Sequence, residues 1–257
     1  MSDFSDRFGG IQRLYGRVGL ERLRAAHVCV VGLGGVGTWA AEALARSGIG
    51  ALTLVDLDEV CVTNINRQLH ALTDTIGHAK VDAMAKRIRA INPDCRVTVE
   101  QKFFNEETAV KLLTPKFDFV LDAIDSVSNK VLLLARCHQK KIPVIACGGA
   151  GGRRESTSVR LADLAQATHD RLFAQIRKLL RQEHGFPAAG KLMDIPCVFS
   201  AESPVFPQTD GTVCETRVPE DADSRLNCAG GLGSATFVTG AFGFAAAGYV
   251  VRKISAS

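Results

Sequence analysis

His27-Val28-Cys29-Val30-Val31-Gly32-Leu33-Gly34-Gly35-Val36-Gly37 opens the stretch that decides the fold, and Ala51-Leu52-Thr53-Leu54-Val55-Asp56 closes it. The valine-rich run from His27 to Val31 reads as a buried strand, and the glycines after it end that strand. Apolar residues then recur at helical spacing from Val36 to Ser47, and Ala51 to Val55 is a second run of strand length. Strand, glycine-rich turn, helix and strand make a βαβ unit, whose two strands lie parallel in one sheet.

The glycines give this unit its chemistry. Gly32-x-Gly34-Gly35-x-Gly37 stands where strand turns into helix, so the backbone can approach phosphates that the helix N-terminus attracts. Asp56 ends the second strand at the spacing of a carboxylate that hydrogen-bonds ribose hydroxyls. A solvated aspartate beside a structural glycine turn is the plainer alternative, but the two features together predict a bound nucleotide.

The alternation continues outward. Lys80 to Ile91 has helical spacing and stops at Asn92-Pro93. A strand at Arg96 to Val99, a helix near Glu106 to Leu113 and a strand at Phe117 to Leu121 follow. Ser128 to Lys140 reads as helix, Pro143 to Cys147 as strand, and Gly148 to Gly152 as a flexible turn that ends the repeating pattern. The expected fold class is α/β: a Rossmann-like, doubly wound, mostly parallel sheet with an irregular C-terminal elaboration. Residues 1–25 form an N-terminal helical arm, 26–152 the nucleotide-binding core, and 153–257 an elaboration of the same overall domain.

That elaboration holds a helix from Asp170 to Gln182 with Arg171, Arg177, Lys178 and Arg181 on one face. The face reads either as solvated surface or as a patch for a phosphate backbone. Gly, Pro and polar residues dominate Phe186 to Asn227, which predicts an irregular lobe or crossover loop. Ala229 to Val251 lacks charge and is long enough to span a bilayer, but Gly230, Gly231, Gly233, Gly240, Gly243 and Gly248 dilute its hydrophobicity. A buried, closely packed helix is the expectation, with no membrane insertion.

Composition agrees with a soluble globular protein. The chain has 257 residues, 46% of them hydrophobic, with a net charge of +4, which permits a polyanionic partner without requiring one. Met1 to Gly10 contains no apolar core of a secretory signal, so the expected compartment is the cytoplasm. The eight cysteines show no framework spacing and no C-x-x-C pair, so they read as reduced thiols, and no zinc is expected.

An NAD-dependent oxidoreductase would fit the glycine turn and Asp56 equally well. The segment from Asp56 through Asp58 to Gln68 separates the readings, because it puts Asn64, Arg67 and Gln68 close behind the ribose carboxylate. Gly77-His78-Ala79-Lys80 then sets a cation at the start of a helix. Cations at the phosphate end suit a triphosphate, whose charge must be neutralised as pyrophosphate leaves. Asp122-Ala123-Ile124-Asp125 ends a strand at the carboxyl edge, where a carboxylate could hold Mg²⁺. Taken singly, Lys80 could be a surface lysine, Arg67 a loop cation and Asp125 a helix cap; their ordered occurrence beside the glycine turn argues otherwise.

These motifs together resemble the ubiquitin-activating-type adenylating superfamily, which includes the molybdopterin and thiamine-pathway adenylyltransferases. The match covers roughly Arg7 to Gly152. It implies that ATP and Mg²⁺ activate a substrate carboxylate as an acyl-adenylate. By resemblance Gly32, Gly34, Gly35 and Gly37 form the phosphate turn and Asp56 holds the ribose, with Asp58 and Gln68 beside it. Asn64, Arg67 and Lys80 contact phosphates, and Asp125 serves the metal; Arg67, Lys80 and Asp125 carry the catalysis. The superfamily offers an N-terminal arginine to the neighbouring subunit's ATP; here that place is Gly10, which leaves Arg13 or Arg7. A homodimer is implied by the same resemblance.

A finer pattern is carried by Arg7-Phe8-Gly9-Gly10, Arg13-Leu14-Tyr15-Gly16, Asp122-Ala123-Ile124-Asp125-Ser126, Gly148-Gly149-Ala150-Gly151-Gly152 and Cys197-Val198-Phe199-Ser200. It is similar, nearly end to end, to the tRNA threonylcarbamoyladenosine dehydratase family. The resemblance implies an ATP-dependent adenylating, cyclising ligase whose substrate is the threonine carboxylate of threonylcarbamoyladenosine next to the tRNA anticodon. It also implies a cysteine-desulfurase or sulfur-acceptor partner. The alternative is an adenylyltransferase acting on the C-terminus of a sulfur-carrier protein, against which the missing C-x-x-C pairs argue. Cys147, Cys197 and Cys228 could form a thioester, but thiols among apolar neighbours read as core residues, and the chemistry requires no protein nucleophile.

Overall fold

In a computed structural model, residues 3–208, 210–215 and 232–256 are described. Helix α1 (Asp3–Ala25) leads into β1 (His27–Val31), α2 (Gly37–Arg46) and β2 (Ala51–Val55). A loop with two short 3-10 turns then reaches α3 (Lys80–Ile91), β3 (Arg96–Glu100) and α4 (Glu106–Leu112). The pattern runs on through β4 (Phe119–Asp122), α5 (Val127–Lys140) and β5 (Val144–Cys147). Every residue of β2, β4 and β5 is buried. Parallel strands covered by helices on both faces require this, and it explains why these runs are apolar throughout rather than alternating.

The main sheet has the order β3-β2-β1-β4-β5-β7-β6. Strand β1 pairs with β2 on one side and with β4 on the other, both parallel, with Val31 level with Val55 and Asp122. The winding direction reverses between β1 and β4, and a crevice opens there at the carboxyl ends of the strands.

The alternation was expected to stop at Gly152, yet the sheet continues. β7 (Pro196–Ser200) lies parallel to β5, with Cys147 level with Val198, and β6 (Val159–Asp163) closes the edge antiparallel to β7. Between them runs α6 (Arg171–Glu183), capped by Asp170, whose carboxylate accepts from Phe173 N at 2.9 Å. The buried run Cys197-Val198-Phe199-Ser200 needs neighbours on both sides. Its distance along the chain from β5 hid that pairing. Among its described residues, the Phe186–Asn227 lobe otherwise holds a two-stranded ribbon of β8 (Phe206–Pro207) and β9 (Val213–Cys214).

Helix α7 (Thr236–Ala256) realises the expected buried apolar helix, starting later than the apolar run does; Gly230 and Gly231 lie outside the described residues. Val238, Phe242, Ala246 and Val250 are fully buried, at about 1.5–3 kcal/mol for each of the larger side chains. A methyl on Gly243 would stand 2.6 Å from Val36 O and 2.8 Å from Trp39 Cβ, so glycine is what lets α7 cross α2 this closely. Among the described residues, no helix is long and apolar enough to cross a membrane.

Candidate functional site

The glycine turn sits at the carboxyl end of β1, and its four glycines have different jobs. Gly32 has φ +91°, and a methyl there would lie 2.7 Å from Ala123 O and 3.2 Å from Ile124 N. Gly37 is packed against the Gly32 carbonyl and lies 3.3 Å, from its would-be Cβ, to Ala123 Cβ. Gly32 lets the β1 and β4 turns meet backbone to backbone, and Gly37 lets α2 close on the carbonyl of Gly32 within its own turn. Gly35 faces Thr239 and the Arg67 side chain, at 3.1 and 3.4 Å. Gly34 alone opens on free space, which makes it the point where a phosphate can reach backbone.

Asp56 holds this turn directly. Its Oδ2 accepts from Leu33 N at 2.6 Å and its Oδ1 from Asp58 N at 2.9 Å. Burial pushes its carboxyl above the usual range, with Lys80 pulling the other way. The loop that follows is tied back by Gly77 N to Val60 O and Val60 N to His78 O, both at 2.9 Å. That return delivers Lys80 to Asp58, with Nζ–Oδ2 at 2.7 Å and Lys80 N donating to Asp58 O at 3.0 Å. Lys80 is nearly buried while its carboxylate partner is exposed, so an incoming phosphate can take the place of Asp58 on the lysine.

Arg67 is locked through its backbone: its carbonyl accepts from Trp39 Nε1 at 3.1 Å and Thr239 Oγ1 at 3.3 Å. Its guanidinium rests on Thr63 O and Asn66 Oδ1, at 2.7 and 3.1 Å, beside the glycine turn. Asn64 is buried, and its Oδ1 caps Cys61 N at 3.0 Å, so it braces the loop from within. Gln68 is buried with Oε1 unpartnered.

Asp125 follows β4 on the exposed side of the crevice. It does not cap α5, whose N-cap is Ser126. Among the described residues no cluster of three or more His, Cys, Asp or Glu side chains forms a metal cage. A lone accessible carboxylate fits Mg²⁺ all the same, since that ion is commonly bound by one or two carboxylates together with substrate phosphates.

The structure thus brings Gly34, Asp56, Asp58, Arg67, Lys80 and Asp125 to one edge of the sheet. Arg13 is exposed on α1, with its guanidinium beside Gly9 and Gly10 of the same helix. Arg7 is committed to Asp3 and to Ile91 O at the opposite edge. A cavity of about 850 Å³ at that opposite edge, lined by residues including Arg22, Phe119, Lys141 and Tyr249, holds none of the nominated residues.

The basic face of α6 is largely spoken for. Arg177 donates to Leu164 O and Ala167 O, at 3.2 and 2.9 Å, Arg181 to Pro187 O at 3.0 Å, and Arg171 lies over the Phe206 ring. Of the three cysteines considered as nucleophiles, Cys228 lies outside the described residues. Cys147 and Cys197 are buried, and burial pushes the Cys147 thiol up to about 12 and Cys197 upward as well. Neither supplies a thiolate.

Sequence reading missed two groups. Lys130 is fully buried against Asp122, and its only signal was a lone lysine in the apolar run Val131-Leu132-Leu133-Leu134 and its flank. His70 is buried next to the site beside the Leu33 backbone, and burial together with the Lys80 charge lowers its pKa to about 4.

Comparison with known proteins agrees with this geometry. The ThiF family model matches residues 10–255. The chain is 49% identical over 252 residues to the tRNA threonylcarbamoyladenosine dehydratase of Escherichia coli (strain K12), covering 97% of this chain and 94% of that one. The crystal structure of the E. coli dehydratase TcdA in complex with ATP superposes with a TM-score of 0.87 at 44% identity, covering 99% and 96% of the two chains. Similarity to the molybdopterin-synthase adenylyltransferase of Haemophilus influenzae is weaker, 32% over 164 residues and about two thirds of each chain. With the glycine turn, Asp56, Arg67, Lys80 and Asp125 gathered on one sheet edge, the chain belongs to the ThiF family, on its tRNA threonylcarbamoyladenosine dehydratase branch.

Proposed function

We propose that this enzyme uses ATP to dehydrate threonylcarbamoyladenosine, next to the anticodon of a tRNA, to its cyclic form. The observation that carries the reading is the gathering of an open Gly34, two cations and a free carboxylate at one sheet edge. A dinucleotide redox site has little use for that set, whereas a triphosphate losing pyrophosphate needs it. Gly34 and the N-terminus of α2 receive phosphate, Asp56 takes the ribose, and Arg67 and Lys80 leave their resting partners, Asn66 and Asp58, for phosphate oxygens. Mg²⁺, when bound at Asp125, supplies charge neutralisation for the triphosphate.

Catalysis is then mostly positioning and electrostatics. The threonine carboxylate attacks the α-phosphorus, forming a C–O–P bond as the bond to pyrophosphate breaks. Arg67 and Lys80 stabilise the charge that accumulates on the departing oxygens. The carbamoyl group next attacks the activated carbonyl, closes the ring and expels AMP, so the tRNA loses one water overall. The buried Cys147 and Cys197 have no part in this.

A homodimer, in which an N-terminal arginine such as Arg13 serves the neighbouring subunit's ATP, is part of the proposal, as are a sulfur-relay partner and a cytoplasmic setting. The exposure of Arg13 on α1 is compatible with service in trans. ATP–pyrophosphate exchange tests the function. It should depend on tRNA carrying threonylcarbamoyladenosine; exchange driven by a carrier-protein C-terminus, with none from that tRNA, would favour the adenylyltransferase reading instead.

A further inference from the structure

Lys130 and Asp122 form an ion pair with neither side chain exposed, Nζ–Oδ2 2.8 Å. Lys130 Nζ also donates to Ile124 O at 2.8 Å, while Asp122 Oδ1 accepts from Ile124 N at 3.0 Å. One charged pair thus grips both polar groups of the Ile124 backbone. Ala123 N is held by Val31 O at 2.8 Å, and the same turn lies against Gly32. From the helix side the turn has little support, because the N-cap Ser126 makes no side-chain cap bond.

A pair buried this deeply is a poor device for stability alone. Removing two charges from water costs several kcal/mol per ion, and well-packed apolar side chains of similar volume often serve as well or better. What apolar residues cannot do is hold a carbonyl and an N–H of one residue in a fixed place. The residue that follows Ile124 is Asp125.

We propose that the Lys130–Asp122 pair is a positioning clamp for the Ala123–Asp125 turn, setting the Asp125 carboxylate for metal-dependent binding of the triphosphate. This rests on the assignment of Asp125 made above. It makes Lys130 a positioning residue, acting through Asp125 and never touching substrate.

The test is calorimetric titration of ATP, with and without Mg²⁺, into the full chain, its Asp125→Asn variant and the double variant D122N/K130M. The double variant removes both charges while keeping the volume and the acceptor for Ile124 N. A misplacement of an ångström can cost up to about a hundredfold. The metal-dependent gain in affinity should therefore fall at least about tenfold, as in Asp125→Asn, while the affinity for metal-free ATP stays within about threefold. An undiminished metal-dependent gain in the double variant overturns the clamp. So does an equal loss for metal-free ATP, which would mean that the pair merely supports the glycine turn. Should the double variant not fold, Lys130→Met alone, which leaves Asp122 free to take up a proton and keep its bond from Ile124 N, is read by the same two outcomes. A gain that survives in Asp125→Asn would defeat the assignment of Asp125 and the clamp with it, whereas loss in Asp125→Asn beside an undiminished gain in the double variant would defeat the clamp alone.

Discussion

Gly32→Ala and Gly34→Ala should separate stability from nucleotide binding within one turn. At Gly32 the new methyl would meet Ala123 O at 2.7 Å with φ at +91°, so both backbone strain and overpacking act. The left-handed backbone costs about 1–2 kcal/mol, and forcing an extra carbon into a packed contact costs about 1–3 kcal/mol. A total loss of about 2–5 kcal/mol is expected in urea unfolding. At Gly34 nothing lies within 4 Å of the added carbon, and its φ lies outside the left-handed region, so stability should move by no more than about 0.5 kcal/mol. Yet that methyl would stand where phosphate reaches the backbone. Losing one charge-assisted hydrogen bond, about 1.5–3 kcal/mol, weakens ATP binding by roughly 10- to 150-fold. Titration of ATP into both variants measures this. Unchanged affinity in a stable Gly34→Ala would refute the reasoning, since phosphate then does not approach this turn.

Other expectations follow from the burial of particular groups. His70 has its pKa lowered to about 4 from 6.5, so the unfolded chain takes up its proton first as pH falls, and stability is lost between those values. By pH 5 this amounts to about 2 kcal/mol relative to neutral pH. His70→Asn should show a correspondingly shallower loss in urea titrations; parallel curves would contradict the lowered pKa. Cys147→Ala and Cys197→Ala should leave turnover intact, and a large drop in single-turnover rate at either would restore covalent catalysis. Arg177→Met orphans Leu164 O and Ala167 O, so it should lower stability by about 1–3 kcal/mol without weakening tRNA binding. A tRNA affinity that falls with unchanged stability would return Arg177 to a phosphate-contacting role.

Much of this site was legible because its parts are local. The valine run, the glycine turn and Asp56 lie in one βαβ unit, within which Asp56 accepts from Leu33 N. Lys80 was placed correctly at the start of α3, but its pairing with Asp58 depends on how the intervening loop folds back. What escaped was long-range. β7 joins β5 across a long stretch of chain, and the need for glycine at Gly32 arises from the β4 turn rather than from phosphate. The lone Lys130 in an apolar helix gave a signal that only the position of Asp122 makes intelligible. The basic face of α6 misled for a related reason: spacing shows where cations lie on a helix, not the carbonyls of Leu164, Ala167 and Pro187 that await them.

The central claim is that this site activates a carboxylate of modified tRNA at the expense of ATP. Its most direct test incubates the purified chain with ATP, Mg²⁺ and tRNA carrying threonylcarbamoyladenosine, then measures the released nucleotide alongside the mass of the digested nucleosides. The account predicts AMP and pyrophosphate formed one for one with a nucleoside lighter by one water. ADP and phosphate as the products, or AMP released with the modified nucleoside unchanged, would contradict it.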